Sequence, residues 1–110
     1  MRGSPALVDI AFDGRVIEWR GPAPFYFVAI PDAHTGEVQW AARIASYGWG
    51  CIPVEAEAHG QPFQSSLFPR GGGYLVPLKL AVRKAAGILP GDQVAVRVRI
   101  FEPARASPGR

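Results

Sequence analysis

Six side chains in the middle of the chain are of types that could together bind an anionic ligand. They are Trp49, Ser65, Ser66, Arg70, Lys79 and Arg83. Lys79 and Arg83 are four residues apart, so on a helix they share a face, where like charges destabilise by roughly 0.2–0.5 kcal/mol. An anion beside them, or the carboxylate of Glu55, would relieve this repulsion. Two interpretations stay open: a shallow anion or peptide-carboxylate site beside the Trp49 ring, and an internal salt bridge from Lys79 or Arg83 to Glu55.

The side chains of nucleophilic catalysis are present without a recognisable arrangement. A serine or cysteine nucleophile needs a base beside it. The candidates are Cys51, Ser65, Ser66, His34 and His59. None of them lies in a nucleophile-elbow or other triad pattern, and the two histidines fall in a turn and near a helix start. We therefore assign no catalytic residue, and the sequence favours a protein that is not an enzyme.

Metal and nucleotide sites are equally weakly indicated. Glu55 and Glu57 lie on the same face of a strand, about 7 Å apart, where they could bind a metal or form an ordinary polar strand face. The glycine run at residues 71–73 is not followed by the Lys-Ser/Thr pair of a phosphate-binding loop. No metal and no cofactor are predicted.

The net charge of +3 comes from the two ends of the chain. The whole sequence has 12 basic and 9 acidic residues, and residues 1–4 and 103–110 contain three of the arginines. The remaining body divides into oppositely charged halves, because residues 5–60 carry three basic and seven acidic side chains and residues 61–102 carry six and two. The halves are expected either to pair these charges with each other or to expose them to solvent.

The second, basic half nevertheless suggests an alternative function. Arg83, Lys84, Arg97 and Arg99 could contact the phosphates of a nucleic acid. This interpretation is weakened because the net positive charge comes from the chain ends, whereas a nucleic-acid interface should persist when those ends are removed.

Length and composition limit the organisation of the chain. With 110 residues and 48% hydrophobic residues, one domain at residues 5–102 is expected, with flexible termini at residues 1–4 and 103–110. A single cysteine cannot form an intrachain disulfide. The start lacks a secretory signal, and the longest apolar run, residues 25–30, is far shorter than a membrane span. A cytoplasmic protein without membrane contact is expected.

Hydrophobic periodicity predicts a mainly β domain with two helices. The predicted strands cover residues 7–12, 16–19, 25–30, 52–58, 63–67, 74–76 and 94–101. Asp13-Gly14 and His59-Gly60 are typical of hairpin turns, and residues 67–73 are expected to form a loop. One helix is predicted at residues 36–45 after an N-cap at Thr35. The other begins at Pro77, buries Leu78, Ala81, Val82 and Ala85, and ends at Gly87.

The predicted elements repeat. A strand near residue 26, a helix, a glycine and a strand from Ile52 form one unit. A strand near residue 74, a helix, a glycine and a strand from Gln93 form the second. Two strand–helix–strand units predict a small barrel with pseudo-twofold symmetry.

Three stretches together resemble a known family. GWGCIPVEAEAHG (48–60), SSLFPRGGGYLVPLKLAVRKAAG (65–87) and PGDQVAVRVRI (90–100) closely resemble the bacterial family called domain of unknown function nineteen-oh-five. With the FYFVAIP stretch before them, the resemblance covers residues 6–101. It implies a double-split β-barrel related in architecture to the AbrB and MazE barrels. Cys51 stands where methionine is usual and Phe63 where tryptophan is common, exchanges that suit packing positions.

The resemblance implies no activity and no catalytic residues. The function that we expect is a non-catalytic binding or interaction module for a small anionic ligand, a peptide or a protein partner, with a homodimer left open. The alternative is a DNA-binding module of the AbrB kind.

Overall fold

A computed structural model describes residues 6–22, 25–45 and 52–102. Within these residues, seven strands and two helices follow one another, with one turn of 3-10 helix at Asp32–His34 directly before the first helix. The elements are β1 (Val8–Arg15), β2 (Ile17–Trp19), β3 (Phe25–Ala29), α1 (Thr35–Ala45), β4 (Ile52–Ala58), β5 (Gln61–Arg70), β6 (Gly73–Pro77), α2 (Leu80–Ala86) and β7 (Gln93–Ile100). Neither helix is long and apolar enough to cross a membrane, judged over the described residues.

The strands form one curled antiparallel sheet in the order β1-β7-β4-β5-β6-β3-β2. Its two outermost strands, β1 and β2, are consecutive in the chain and separated only by Val16. The Val16 N–H donates to the carbonyl of Asp92, and the Val16 carbonyl accepts from the N–H of Gly91, both at 2.9 Å. The two ends of the sheet are therefore held together by a single continuous stretch of chain.

Two long stretches of chain each divide their pairing between two partners. β5 pairs with β4 through residues 61–67 and with β6 through residues 68–70. In the same way β1 pairs with β7, and β2 pairs with β3. The remaining contacts, β3 with β6 and β4 with β7, join equivalent strands of the two units. These pairings confirm the predicted small double-split barrel and its pseudo-twofold strand–helix–strand repeat.

The core lies inside the curl of the sheet. Apolar side chains alternate inward along the strands, as the pattern of β7 predicted, and the helices cover the openings: α1 lies against β1 and β4, and α2 lies against β5. Among the side chains fully removed from solvent are Val28, Val38, Ile52, Leu67, Val76, Val98 and Ile100. Buried apolar area of this kind supplies most of the stabilisation of a small domain.

The predicted Asp13-Gly14 hairpin is wrong. β1 runs straight through both residues, which pair with Ala95 and Val94 of β7, and the strand that follows pairs with β3 instead of returning along β1. Gly14 is needed here for space, not for a turn, because a Cβ atom at this position would overlap the Cγ1 atom of Val28. The glycine permits β1 to pass close to β3.

The segment around the second helix also differs from its prediction. The predicted loop at residues 67–73 is mostly the end of β5 and a tight turn at Gly71-Gly72, both with positive φ. Pro77 ends β6 and does not begin α2, which starts at Leu80. Leu78 and Val82 are buried as expected, but Ala81 and Ala85 are exposed. The helix does end at Gly87, whose φ is 67°.

Candidate functional site

A shallow cleft opens where β5 and β6 separate. Continuing the register in which Phe68 pairs with Leu75 would place Ser66 opposite Pro77. A proline has no N–H to donate to a strand ladder, and β6 leaves β5 at this point to pair with β3. The resulting cleft has a volume of about 490 Å³ and is lined by Pro53, Gln64, Ser65, Ser66, Pro77 and Lys79.

The lining shows that the cleft lies along the edge of β5. Ser65 is paired with Val54 and faces the core side of the sheet, whereas Ser66 is paired with Pro53 and faces the outer side. Side chains from both faces of a strand can line one cleft only at the edge of that strand. The Ser65 hydroxyl donates to the Pro77 carbonyl across the gap at 3.5 Å, so it joins the two separating strands.

Lys79 supplies the positive charge of the cleft. It lies just before α2 in an extended conformation, with φ −68° and ψ 157°, and its side chain is exposed. Among the described residues its ammonium group takes part in none of the ion pairs. A lysine beside serine hydroxyls is a donor set that suits a carboxylate or another anion.

A second groove continues the cleft between β5 and α2. It has a volume of about 450 Å³, and its lining includes Gln61, Pro62, Phe63, Ala81 and Ala85. Gln64 and Lys79 line both cavities. The two exposed alanines of α2, which the sequence placed in the core, instead keep this groove open because their side chains are small.

Arg83 lies outside the cleft. Its guanidinium carbon is 3.6 Å from the centre of the Tyr26 ring, a cation–π contact, and its Nε donates to the Leu78 carbonyl at 3.2 Å. The Tyr26 hydroxyl in turn donates to Glu18 at 3.1 Å. Because α2 begins only at Leu80, Lys79 and Arg83 are not both within the helix, and no ion pair joins either one to Glu55 in the described chain.

Arg70, like Arg83, is not brought into the cleft. Arg70 is paired with Gly73 beside the turn of the β5–β6 hairpin, four residues and about 13 Å along the strand from Ser66. Trp49, the expected aromatic platform, and Cys51 lie outside the described residues. The structure thus brings together three of the six predicted residues: Ser65, Ser66 and Lys79.

An aromatic cluster next to the cleft was missed by the sequence analysis. The ring centroids of Trp19 and Phe25 are 5.5 Å apart, and those of Phe25 and Phe68 are 6.2 Å apart. Phe68 lies on the same face of β5 as Ser66, about 7 Å along the strand. The three rings come from β2, β3 and β5, so only the strand order reveals the cluster. Gln64, Pro53 and Pro77 were also missed, although a proline at the end of a strand could have indicated where the ladder stops.

The residues of the nucleic-acid alternative are largely engaged with other side chains. Arg97 donates to both carboxylate oxygens of Asp9, at 2.8 and 2.7 Å, and Arg99 donates to Glu57 at 3.4 Å. The hydrogen bonds from Arg97, and then its charge, hold the pKa of the Asp9 carboxyl below its ordinary value of 3.8. Both ion pairs join the acidic half of the chain to the basic half. Lys84 is exposed.

The remaining titratable groups show no catalytic or metal-binding arrangement in the described residues. His34 Nδ1 lies 2.7 Å from Glu37, three residues along the chain, and His59 occupies the predicted turn with a φ of 49°. Within the described ranges, no group of three histidine, cysteine, aspartate or glutamate side chains is placed to hold a metal ion.

The chain matches the model of a protein family. The model of a family described as "Domain of unknown function (DUF1905)" matches residues 12–98, whereas no curated protein matches the chain. The matched range begins in β1 and ends in β7, so it includes both strand–helix–strand units and the cleft between β5 and β6. A match over most of the chain, on the double-split barrel that the strand pairing shows, means that this protein belongs to the DUF1905 family.

Proposed function

We propose that this domain is a non-catalytic binding module that takes a carboxylate-bearing ligand in the cleft between β5 and β6. One observation carries the proposal. Lys79 is distant in sequence from Ser65 and Ser66, yet all three residues line the same cleft, and Lys79 has no ion pair among the described residues. A ligand carboxylate would accept hydrogen bonds from the Lys79 ammonium group and the Ser66 hydroxyl.

The single lysine limits how tightly a simple anion can bind. An exposed ion pair contributes only about 0–1 kcal/mol, whereas a dissociation constant of ~1 mM already requires about 4 kcal/mol. A free carboxylate is therefore expected to bind no more tightly than the millimolar range. A physiological ligand must make further contacts with the neighbouring groove.

The observations support the alternative, an AbrB-like DNA-binding module, less well. Of its four candidate cations, Arg97 and Arg99 face Asp9 and Glu57, and Arg83 covers the Tyr26 ring. Phosphate contacts by these arginines would compete with the existing partners. Binding of a DNA duplex by residues 5–102 alone, with affinity that falls steeply as salt is raised, would favour this alternative over the carboxylate site.

We expect Lys79→Gln to weaken the binding of succinate, used as a simple dicarboxylate probe. In the unaltered protein, succinate should shift the backbone amide signals of Gln64 and Ser66 in a two-dimensional NMR titration, and the shifts should still be increasing at the highest millimolar concentrations. Lys84→Gln is the matched control, because Lys84 is an exposed lysine within α2 that does not line the cleft. The proposed site is wrong if Lys79→Gln and Lys84→Gln bind succinate equally, or if no amide of β5 shifts.

A further inference from the structure

We propose that the ligand is an extended peptide segment that bears a carboxylate and adds to the free edge of β5 as an extra strand. This inference rests on the proposed function, because the peptide carboxylate would occupy the same place beside Lys79. It goes further by naming the backbone of the partner as the main feature that is recognised.

The direction of the backbone groups of β5 follows from one hydrogen bond. The His59 N–H donates to the Ala95 carbonyl at 2.8 Å, so odd-numbered residues of β4 direct their backbone groups to β7 and even-numbered residues direct theirs to β5. The β5 residues paired with those even-numbered positions bond to β4; they are Gln61, Phe63, Ser65 and Leu67. The residues between them, Pro62, Gln64 and Ser66, direct their backbone groups away from β4.

Among the described residues, those outward groups form a strand edge without a partner strand, because β6 pairs with β5 only through residues 68–70. In the described chain, none of the backbone hydrogen bonds made by turns, loops or helix ends involves residues 62, 64 or 66. Pro77 stands beyond Ser66 and has no N–H to offer. The edge therefore presents the carbonyl groups of Pro62, Gln64 and Ser66 together with the N–H of Gln64, a set dominated by hydrogen-bond acceptors.

Space for an added strand exists along this edge. The groove against α2 and the cleft at the β5–β6 separation lie end to end and share Gln64 and Lys79. Residues 62–66 span about 13 Å at 3.3 Å per residue, the length of an extended segment of about five residues. The wall formed by α2 is low on this side because Ala81 and Ala85 line it.

An acidic peptide fits the edge better than a small anion or a second copy of this chain. The outward carbonyls need N–H donors, which a peptide backbone supplies and a simple carboxylate lacks, while Lys79 needs a negative charge. Pairing two copies through this edge would oppose carbonyl-rich strands that each contain Pro62, and it would place the two Lys79 cations near each other. Like charges at such short range are unfavourable.

Backbone methylation of a peptide probe tests the proposal. The probe is acetyl-Thr-Val-Glu-Val-Thr-amide, compared with versions N-methylated at the central residue or at the second and fourth residues. Because successive N–H groups of a strand point to opposite sides, one pattern should be tolerated and the other should weaken binding by about tenfold, as expected for loss of hydrogen bonds to the edge. Equal binding by both methylated versions would overturn the strand-addition model.

Variants of Gln64 test the same model from the side of the protein. Gln64→Pro removes an N–H that the β4 ladder does not use, so the fold should persist and peptide binding should weaken by about tenfold. Gln64→Ala is the matched control for loss of the side chain, because it keeps the backbone N–H, and Gln64→Pro should bind the peptide more weakly than Gln64→Ala does. Hydrogen exchange on the unaltered protein provides a measurement that needs no variant: the Gln64 amide should exchange rapidly alone and slow at least tenfold with peptide bound.

The failures of the two proposals can be told apart. Succinate binding that depends on Lys79, together with a Gln64 amide that the peptide does not protect, would overturn strand addition and leave the carboxylate site in place. Peptide protection of Gln64 that is unchanged in Lys79→Gln would overturn the carboxylate site. If protection of the Gln64 amide from exchange rises with protein concentration when no peptide is present, the edge of β5 binds a second copy of this chain. That result would overturn the proposal of an acidic peptide partner.

Discussion

Gly14 shows how a single residue can be essential for packing while resembling a turn signal. It lies in β1 paired with Val94, and the space where its side chain would begin is taken by Val28. The Asp-Gly dipeptide has the same composition whether it turns the chain or lets two strands approach. Only the position of β3, which is distant in sequence, decides between these roles.

We expect Gly14→Ala to lower the free energy of unfolding by about 1–3 kcal/mol, the usual cost of overpacking a core. Urea denaturation followed by circular dichroism would measure the change. Gly36→Ala is the control, since no atom lies within 4 Å of a Cβ placed there and alanine in the first turn of α1 should stabilise the helix. The close approach of β1 to β3 is refuted if Gly14→Ala is as stable as the unaltered protein, or if adding Val28→Ala does not reduce its effect.

Single residues of the candidate site were predictable only in part. Lys79 and the serines at 65 and 66 were recognised from their chemistry, and the structure places them together. Arg83 was assigned to the same site because the helix was expected to begin at Pro77, which would have put both cations on one face. Because α2 in fact starts at Leu80, Lys79 lines the cleft while Arg83 packs on the Tyr26 ring. Tyr26 belongs to β3, and no local sequence pattern indicates that β3 lies near α2.

At the scale of elements, local patterns predicted the strands but not all of their partners. The alternation of β7, the β4–β5 hairpin at His59-Gly60 and the presence of strand β3 were confirmed. Burial on both faces of β3 holds only at Phe27 and Val28, since Ala29 is exposed. β1 was found but paired wrongly, because its partner β7 lies at the other end of the domain. Period and turn chemistry are local properties, whereas the choice of partner depends on how the whole sheet curls.

The pairing of β1 with β7 has an ionic component that depends on pH. In the folded protein, Arg97 lowers the pKa of Asp9 below its ordinary value of 3.8. A carboxyl with a lowered pKa stabilises the fold at pH values above its pKa in the unfolded chain. This contribution is lost as the pH falls through the lower pKa of the folded state.

We therefore expect Asp9→Asn to be less stable than the unaltered protein near pH 7 and the difference to shrink as the solution is acidified below pH ~4. Unfolding in urea at a series of pH values would measure this dependence, which should also weaken at high salt. Asp13→Asn is the control for loss of charge alone, since Asp13 is in the same strand and forms no ion pair within the described residues. A difference between Asp9→Asn and the unaltered protein that does not vary with pH would contradict the assigned pair.

At the scale of the whole molecule, the repeat in the sequence was sufficient to predict the barrel. One strand–helix–strand unit alone cannot enclose a hydrophobic core. The core is enclosed because the two units pair with each other, β3 with β6 and β4 with β7. The opposite charges of the two halves are consistent with this arrangement, because the arginines of β7 meet acids of β1 and β4. The sequence indicates at most where the β5–β6 ladder stops, through Pro77, and the cleft itself follows only from the pairing of strands that are distant in sequence.

The pairing of β1 with β7 also predicts how the chain can be rearranged. The Leu7 N–H donates to the Ile100 carbonyl at 2.7 Å. The start of β1 and the end of β7 are therefore adjacent, and a short linker could join residues 6 and 102. A circular permutant that opens at the exposed Gly71-Gly72 turn should fold with an unfolding temperature within about 5 °C of the original, a shift that corresponds to roughly 1 kcal/mol.

Thermal unfolding by circular dichroism, together with the succinate titration, would test this permutant. A matched permutant opened between Arg15 and Val16 should be far less stable, because it breaks the direct connection between β1 and β2, the two outermost strands of the sheet. Equal unfolding temperatures of the two permutants would show that the connection of β1 to β2 at Val16 contributes little to the stability of the fold.

The pairing of Val8 with Ile100 has a consequence for how the domain is made. A ribosome releases β1 first and β7 last, so the first strand has no partner until nearly the whole domain has emerged. Its apolar side chains stay exposed throughout that interval. Slow synthesis of the last segment would therefore prolong a state that is open to chaperones or to aggregation, and the speed of translation near the codons of β7 should influence the yield of folded protein.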